Sequence, residues 1–112
     1  IEVDCSALSP MVAQPGDPGR GLVLSTLGEV AARPRIDIAY GGSCTAGKRE
    51  DFAQMHAVLA WAAARGLRVS PHVALYLQWG TEDVGAHAEA AGWLPAFEAV
   101  GAALLQPACG AC

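Results

Sequence analysis

No stretch of this 112-residue sequence approaches the roughly 20 apolar residues that a membrane-spanning helix needs. The longest apolar runs are interrupted by Gly, Pro, His or a charge, so no membrane partner is expected. Basic residues are also scarce. Seven Lys and Arg stand against eleven Asp and Glu, for a net charge of -4, and only Lys48 and Arg49 are adjacent. Nucleic acid is therefore not an expected partner, because phosphate binding calls for clustered Lys and Arg. The opening residues Ile1-Glu2-Val3-Asp4 lack the positive charge that starts a secretory signal, and a cytoplasmic setting follows as the expectation. Charge of either sign is sparse too, at 16% of residues against 53% hydrophobic. Some apolar surface is thus expected to meet another domain or subunit rather than water. The chain lacks an initiating Met and stops on Cys112; both ends are expected to continue into a longer protein, with residues 1–112 forming one domain.

What is present is punctuated unevenly. Ile1–Cys5 reads as a short strand. Ser9-Pro10 and the run Gln14-Pro15-Gly16-Asp17-Pro18-Gly19 then break regular structure, and Leu22–Ala32 has helical spacing closed by Pro34. Residues 1–35 are accordingly an irregular lead-in. From residue 36 the pattern alternates: a strand at 36–40, a loop at 41–47, and a helix at 50–65 with Phe52, Met55, Leu59 and Ala62 on one face and Gly66 as its stop. A strand at 72–78, helices at 82–91 and 94–100, and a strand at 102–105 complete the series. Strands alternating with helices imply a parallel sheet with right-handed crossovers, so the fold class is α/β, with a βαβαβ unit over 36–112. Functional loops of such sheets lie at the carboxyl ends of the strands. Cys44 follows the first of these strands, and Cys109 and Cys112 follow the third, so all three thiols are expected at one edge.

Four cysteines would also suit two disulfides, but secreted disulfide scaffolds are small-cored and loop-rich, unlike this Ala/Val/Leu-rich chain. Cys109-Gly110-Ala111-Cys112 is a C-x-x-C, a pattern shared by zinc sites, iron–sulfur clusters and redox disulfides. Zinc would need a fourth ligand from His56, His72 or His87. The first and third of these fall in helices, and the second opens a strand at the edge away from the cysteines. Gly42 to Lys48 matches G-x-x-x-x-G-K, the start of a phosphate-binding loop, but Arg49 stands where a Ser or Thr should meet Mg²⁺. Backbone N–H groups at a helix start favour negative charge and lower a thiol's pKa, and Gly41 and Gly42 leave room for a bulky group. Cys5 belongs to neither motif and is expected as a small buried apolar residue. Glu50 and Asp51 complement the dipole of the helix they begin.

Two segments carry a resemblance. Asp37–Phe52, DIAYGGSCTAGKREDF, closely resembles the GSCT segment of the aconitase superfamily, which includes aconitase, homoaconitase and the large subunit of isopropylmalate isomerase. Gln106–Cys112, QPACGAC, resembles that superfamily's second cluster segment, and Leu8–Gly16 is similar to the Pro-containing stretch before this domain. The resemblance implies a three-layer-type α/β domain like the third domain of aconitase. It implies a [4Fe–4S] cluster on Cys44, Cys109 and Cys112, with Ser43 and Thr45 beside it. Three thiolates leave one iron open as a Lewis acid for the substrate's hydroxyl and carboxylate. The implied activity is a hydro-lyase that dehydrates and rehydrates a hydroxy di- or tricarboxylic acid. The family's catalytic serine and most other site residues come from further domains or a small subunit, so residues 1–112 alone are expected to be inactive and to lose the cluster readily. A structural zinc module on the same three cysteines and a His is the alternative. The chain departs from the family at Ala46, where a polar residue such as Asn is common, and at Gln78-Trp79-Gly80-Thr81, where a Pro-Gly-Ser-like turn is usual. Trp79 is expected either to reshape the site or to pack at a domain interface. Lys48-Arg49 is expected either to favour acidic substrates or to be solvated.

Overall fold

A computed structural model of the chain describes residues 2–14, 16–29 and 35–110, in two compact units, 1–35 and 36–112. In the first unit the Asp4 carboxylate accepts hydrogen bonds from the Ser6 hydroxyl at 2.6 Å and the Ser6 N–H at 2.9 Å, ahead of a 3-10 turn at Cys5–Ala7. Those two bonds, the hydroxyl's first, hold the Asp4 carboxyl below its usual pKa. Strands β1 (Met11–Ala13) and β2 (Gly21–Val23) pair antiparallel, Met11 opposite Val23, and a 3-10 stretch follows at Leu24–Glu29.

Three expectations for this unit are corrected. Glu2–Cys5 forms no strand. The helix expected over Leu22–Ala32 is instead β2 and the 3-10 stretch as far as Glu29, with its remainder outside the described residues. Pairing across the hairpin satisfies the backbone of Gly21–Val23 and overrides a short stretch of helical spacing. Cys5 is exposed rather than buried, because no described side chain of this unit is buried and there is no core for it to join.

The second unit runs β3 (Ile38–Gly42), α1 (Ser43–Ala46), α2 (Arg49–Ala63), β4 (Ala74–Gln78), α3 (Glu82–Ala90), α4 (Leu94–Val100) and β5 (Ala102–Leu105). The strands form a parallel sheet in the order β3-β4-β5, which is the α/β class expected. β3 lies two residues later than its apolar pattern suggests. Gly41 and Gly42, which carry no strand signal of their own, pair with Leu77 and Gln78 and extend it. Thr81 caps α3, its hydroxyl accepting from the Val84 N–H at 3.4 Å. The Asp51 carboxylate accepts from the Lys48 N–H at 3.1 Å at the start of α2. Gly101, left-handed at φ 90°, ends α4 and turns the chain straight into β5.

All three longer helices share one core on one face of the sheet. Phe52 of α2, Val84 and Ala88 of α3, and Phe97 of α4 close over Leu77 of β4 and Trp79 just beyond it, with Met55, Leu59 and Leu75 packed around them. The described residues of this unit thus supply two of the three layers that the resemblance implies. Trp79 continues the alternation of Leu75 and Leu77 and packs tilted against Phe52 at 4.2 Å between ring centroids. It is 5% exposed. It therefore neither reshapes the site nor packs at an interface. It belongs to the unit's own core.

Candidate functional site

The site is built where the sheet ends. Gly42 pairs with Gln78, and Gln78 with Leu105, so the three parallel strands finish level. Cys44 lies two residues beyond the end of β3, and Cys109 lies four beyond the end of β5. The sheet thus brings the segments bearing Cys44 and Cys109 to one edge, where loops of parallel sheets collect. Both side chains are exposed. Cys112, the third cysteine of the expected set, lies outside the described residues. Among the described residues, no three His, Cys, Asp or Glu side chains come together as a metal site.

The turn that presents Cys44 depends on backbone conformations few residues accept. Gly42 has φ 104° and ψ -136°, and a Cβ on it would collide with the Gln78 carbonyl oxygen. Ser43 follows at φ 81°, a left-handed conformation that costs a non-glycine residue on the order of 1–2 kcal/mol. The reversal turns Ser43 inward, at 6% exposure, and leaves Cys44, Thr45 and Ala46 on the surface in the single turn α1. Cys44 is thus held in a helical turn, where the sequence suggests a loop. The Thr45 hydroxyl lies 3.7 Å from the Cys44 Sγ. Of the two residues flanking Cys44, Thr45 shares its surface and Ser43 does not.

The loop after β4 closes against this turn. Gly80 donates its N–H to the Gly47 carbonyl at 2.9 Å. A Cβ on Gly80 would come within 2.7 Å of that oxygen, so side chains are shut out of the contact. A cavity of about 340 Å³ opens beside it, lined by Cys44, Lys48, Arg49, Thr81 and Val84 among others. The Arg49 guanidinium donates to the Asp83 carboxylate at 2.6 Å, with both side chains largely exposed, which compensates the charge expected to draw acidic ligands. Among the described residues lining this wall, Lys48 is the remaining cation.

On the sheet face away from the helices, Gln78 occupies the centre of the edge at 3% exposure. Its Oε1 accepts from the Tyr40 hydroxyl of β3, and its Nε2 donates to the Gln106 carbonyl beyond β5 at 2.9 Å. Gly110, between the cysteines of the C-x-x-C, has φ 56°, and a Cβ there would collide with both the Gln78 amide and the Tyr40 hydroxyl. Sequence reasoning noted Gln78 only as a departure from a Pro-containing turn. Strand alternation from Trp79 would have placed it on this face, but its two partners depend on register.

The histidines lie elsewhere. His72 stands in the turn before β4, its Nδ1 3.0 Å from the Ser70 hydroxyl, at the opposite edge of the sheet. His56 of α2 stacks on Trp93 at 5.3 Å, and His87 of α3 meets the same indole edge-on at 5.3 Å.

Sequence comparison covers the whole chain. The model of the Aconitase family (aconitate hydratase) matches residues 1–112. The large subunit of 3-isopropylmalate dehydratase from Aliarcobacter butzleri is 34% identical over 112 residues, all of this chain and 25% of that protein. The corresponding subunit from Moorella thermoacetica is 35% identical over the same length and 24% of its own. That from Mycolicibacterium smegmatis is 37% identical over 111 residues, 99% of this chain and 24% of the relative. The chain therefore spans about a quarter of the length of the curated relatives it matches. Among the described residues, no helix is long and apolar enough to cross a membrane. With a level parallel edge carrying its cysteine segments and a family match from end to end, the chain belongs to the aconitase family.

Proposed function

We propose that this chain is the cluster-carrying unit of an aconitase-type hydro-lyase, with Cys44, Cys109 and Cys112 as the thiolate ligands of a [4Fe–4S] cluster. One observation carries the reading: the segments bearing Cys44 and Cys109 both leave the carboxyl edge of one parallel sheet whose strands end level. The residues suit the group. Thiolates are the usual iron–sulfur ligands, and Gly42, Gly47, Gly80 and Gly110 let the segments that carry Cys44 and Cys109 pack directly against Gln78 and one another, which holds both thiols at the edge. A cluster held by three cysteines supplies one iron open to the substrate as a Lewis acid. The chain's own part is to fix the thiols, and Lys48 offers a positive charge beside Cys44 for a carboxylate. The zinc alternative gains nothing, since His56 and His87 are engaged with Trp93 and His72 sits at the far edge.

The substrate class is a hydroxy di- or tricarboxylic acid, and 3-isopropylmalate is the first to test because the relatives are named for it. Catalytic base and remaining substrate contacts come from other domains or a small subunit. The apolar side chains Ile38, Val58 and Trp61, each more than half exposed, offer surface for them. A cytoplasmic setting goes with reduced thiols. The test is anaerobic assay of the full-length protein with its small subunit against 3-isopropylmalate and citrate. Reversible dehydration of one of them is expected from the complete enzyme, and none from residues 1–112 alone. A complete enzyme loaded with iron and sulfide but inert to every hydroxy acid tried would refute the activity.

A further inference from the structure

Gln78 is the buried polar side chain at the sheet edge that neither the resemblance nor the proposed chemistry uses. Its contacts run to both cysteine segments. On one side its backbone carbonyl lies where a Cβ of Gly42 would be, two residues before Cys44, and its amide oxygen accepts from Tyr40 of β3. On the other side its Nε2 holds the Gln106 carbonyl at 2.9 Å, three residues before Cys109, and Gly110 packs against the amide with no room for a side chain. A bare Leu or Val at this register would fill the volume but leave the Gln106 carbonyl and the Tyr40 hydroxyl without these partners.

We propose that Gln78, braced by Tyr40, is a positioning residue that fixes the Cys109 segment relative to Cys44, and so sets the spacing of the thiols around the cluster. A buried side-chain amide that accepts from Tyr40 of β3 and donates to the Gln106 carbonyl just beyond β5 ties the two segments to each other. The proposal rests on the cluster reading above, and its test separates the two.

The experiment uses the full-length protein, reconstituted anaerobically with iron and sulfide, as wild type, Gln78→Met, Tyr40→Phe, the double variant, and Val100→Ala. Val100 is buried in α4, beside the turn into β5 at the opposite edge of the sheet, and serves as a destabilised control. Iron loss to a chelator, the electron paramagnetic resonance spectrum of the dithionite-reduced cluster and the melting temperature are read for each. Gln78→Met is expected to speed iron loss at least tenfold and broaden the resonance, Tyr40→Phe to speed it at least threefold, and the double variant to match Gln78→Met. Val100→Ala is expected to lower the melting temperature while leaving both cluster readouts at wild-type values. Unchanged iron loss and resonance in both Gln78→Met and Tyr40→Phe overturns the positioning role, as does a Val100→Ala effect of the same size. A wild type that assembles no cluster overturns the underlying reading instead. Tyr40→Phe keeps the ring and its packing, so it still decides the question if Gln78→Met fails to fold.

Discussion

Gly85 and Trp79 form a pair whose coupling can be worked out before it is measured. Gly85 lies inside α3, where alanine is preferred to glycine by about 1 kcal/mol. An added Cβ would stand 3.2 Å from the Trp79 Cδ1 and 3.3 Å from its Nε1, tighter than ordinary van der Waals contact. The indole has little room to yield, because Phe52 packs tilted against it at 4.2 Å and Phe97 lies at 6.3 Å, and both are fully buried. Overpacking of this kind costs about 1–3 kcal/mol, so Gly85→Ala should be net destabilising by up to about 2 kcal/mol despite the gain in helix propensity. In a Trp79→Phe background the smaller ring leaves the space open. The same Gly85→Ala change should then stabilise by about 0.5–1 kcal/mol. Urea unfolding of the four proteins measures the cycle, with unchanged m-values as the check that the folded state is the same. Additivity within about 0.5 kcal/mol would refute the packing argument, and with it the placement of Trp79 in the core.

Thr81→Ala removes the side-chain cap of α3 and should cost about 1 kcal/mol in the same unfolding assay, with Thr81→Ser nearly neutral. Asp83→Asn breaks the ion pair with Arg49, but both side chains are largely exposed, so the loss should stay below about 1 kcal/mol and vanish at high salt. Gly110→Ala meets Gln78 and Tyr40 from a left-handed backbone, so it should displace the Cys109 segment; a lowered iron content on reconstitution, with the melting temperature largely kept, checks this. Asp4→Asn should loosen the Cys5–Ala7 turn. Because the native carboxyl titrates below its usual range, the turn's wild-type stabilisation is present above that range and lost as pH falls through the lowered value. Amide exchange of Ser6 against pH follows it.

The alternation of strands and longer helices over residues 36–112 was readable because α2 carries a periodic apolar face and because Gly66 and Gly92 mark the stops after α2 and α3. The shared edge for Cys44 and Cys109 followed from topology alone. Other features were not readable for identifiable reasons. β1 and β2 are three residues each and hold through pairing with one another, a partnership that local spacing does not encode. β3 ends in two glycines whose strand conformation is imposed by β4. Trp79 is expected from sequence to reshape the site or to pack at an interface, yet one step of alternation puts it under α3 and hands the site face to Gln78. The Tyr40–Gln78–Gln106 connection joins three elements far apart in sequence, and only the parallel register brings them together.

The central claim is that three cysteines of this chain hold an iron–sulfur cluster. Iron, acid-labile sulfide and zinc should be measured in the anaerobically purified full-length protein and in its Cys44→Ala, Cys109→Ala and Cys112→Ala variants. Equal iron and sulfide with negligible zinc in the wild type, and loss of the cluster in each variant, is the predicted result. Stoichiometric zinc without sulfide, or a cluster that survives Cys44→Ala, would contradict it.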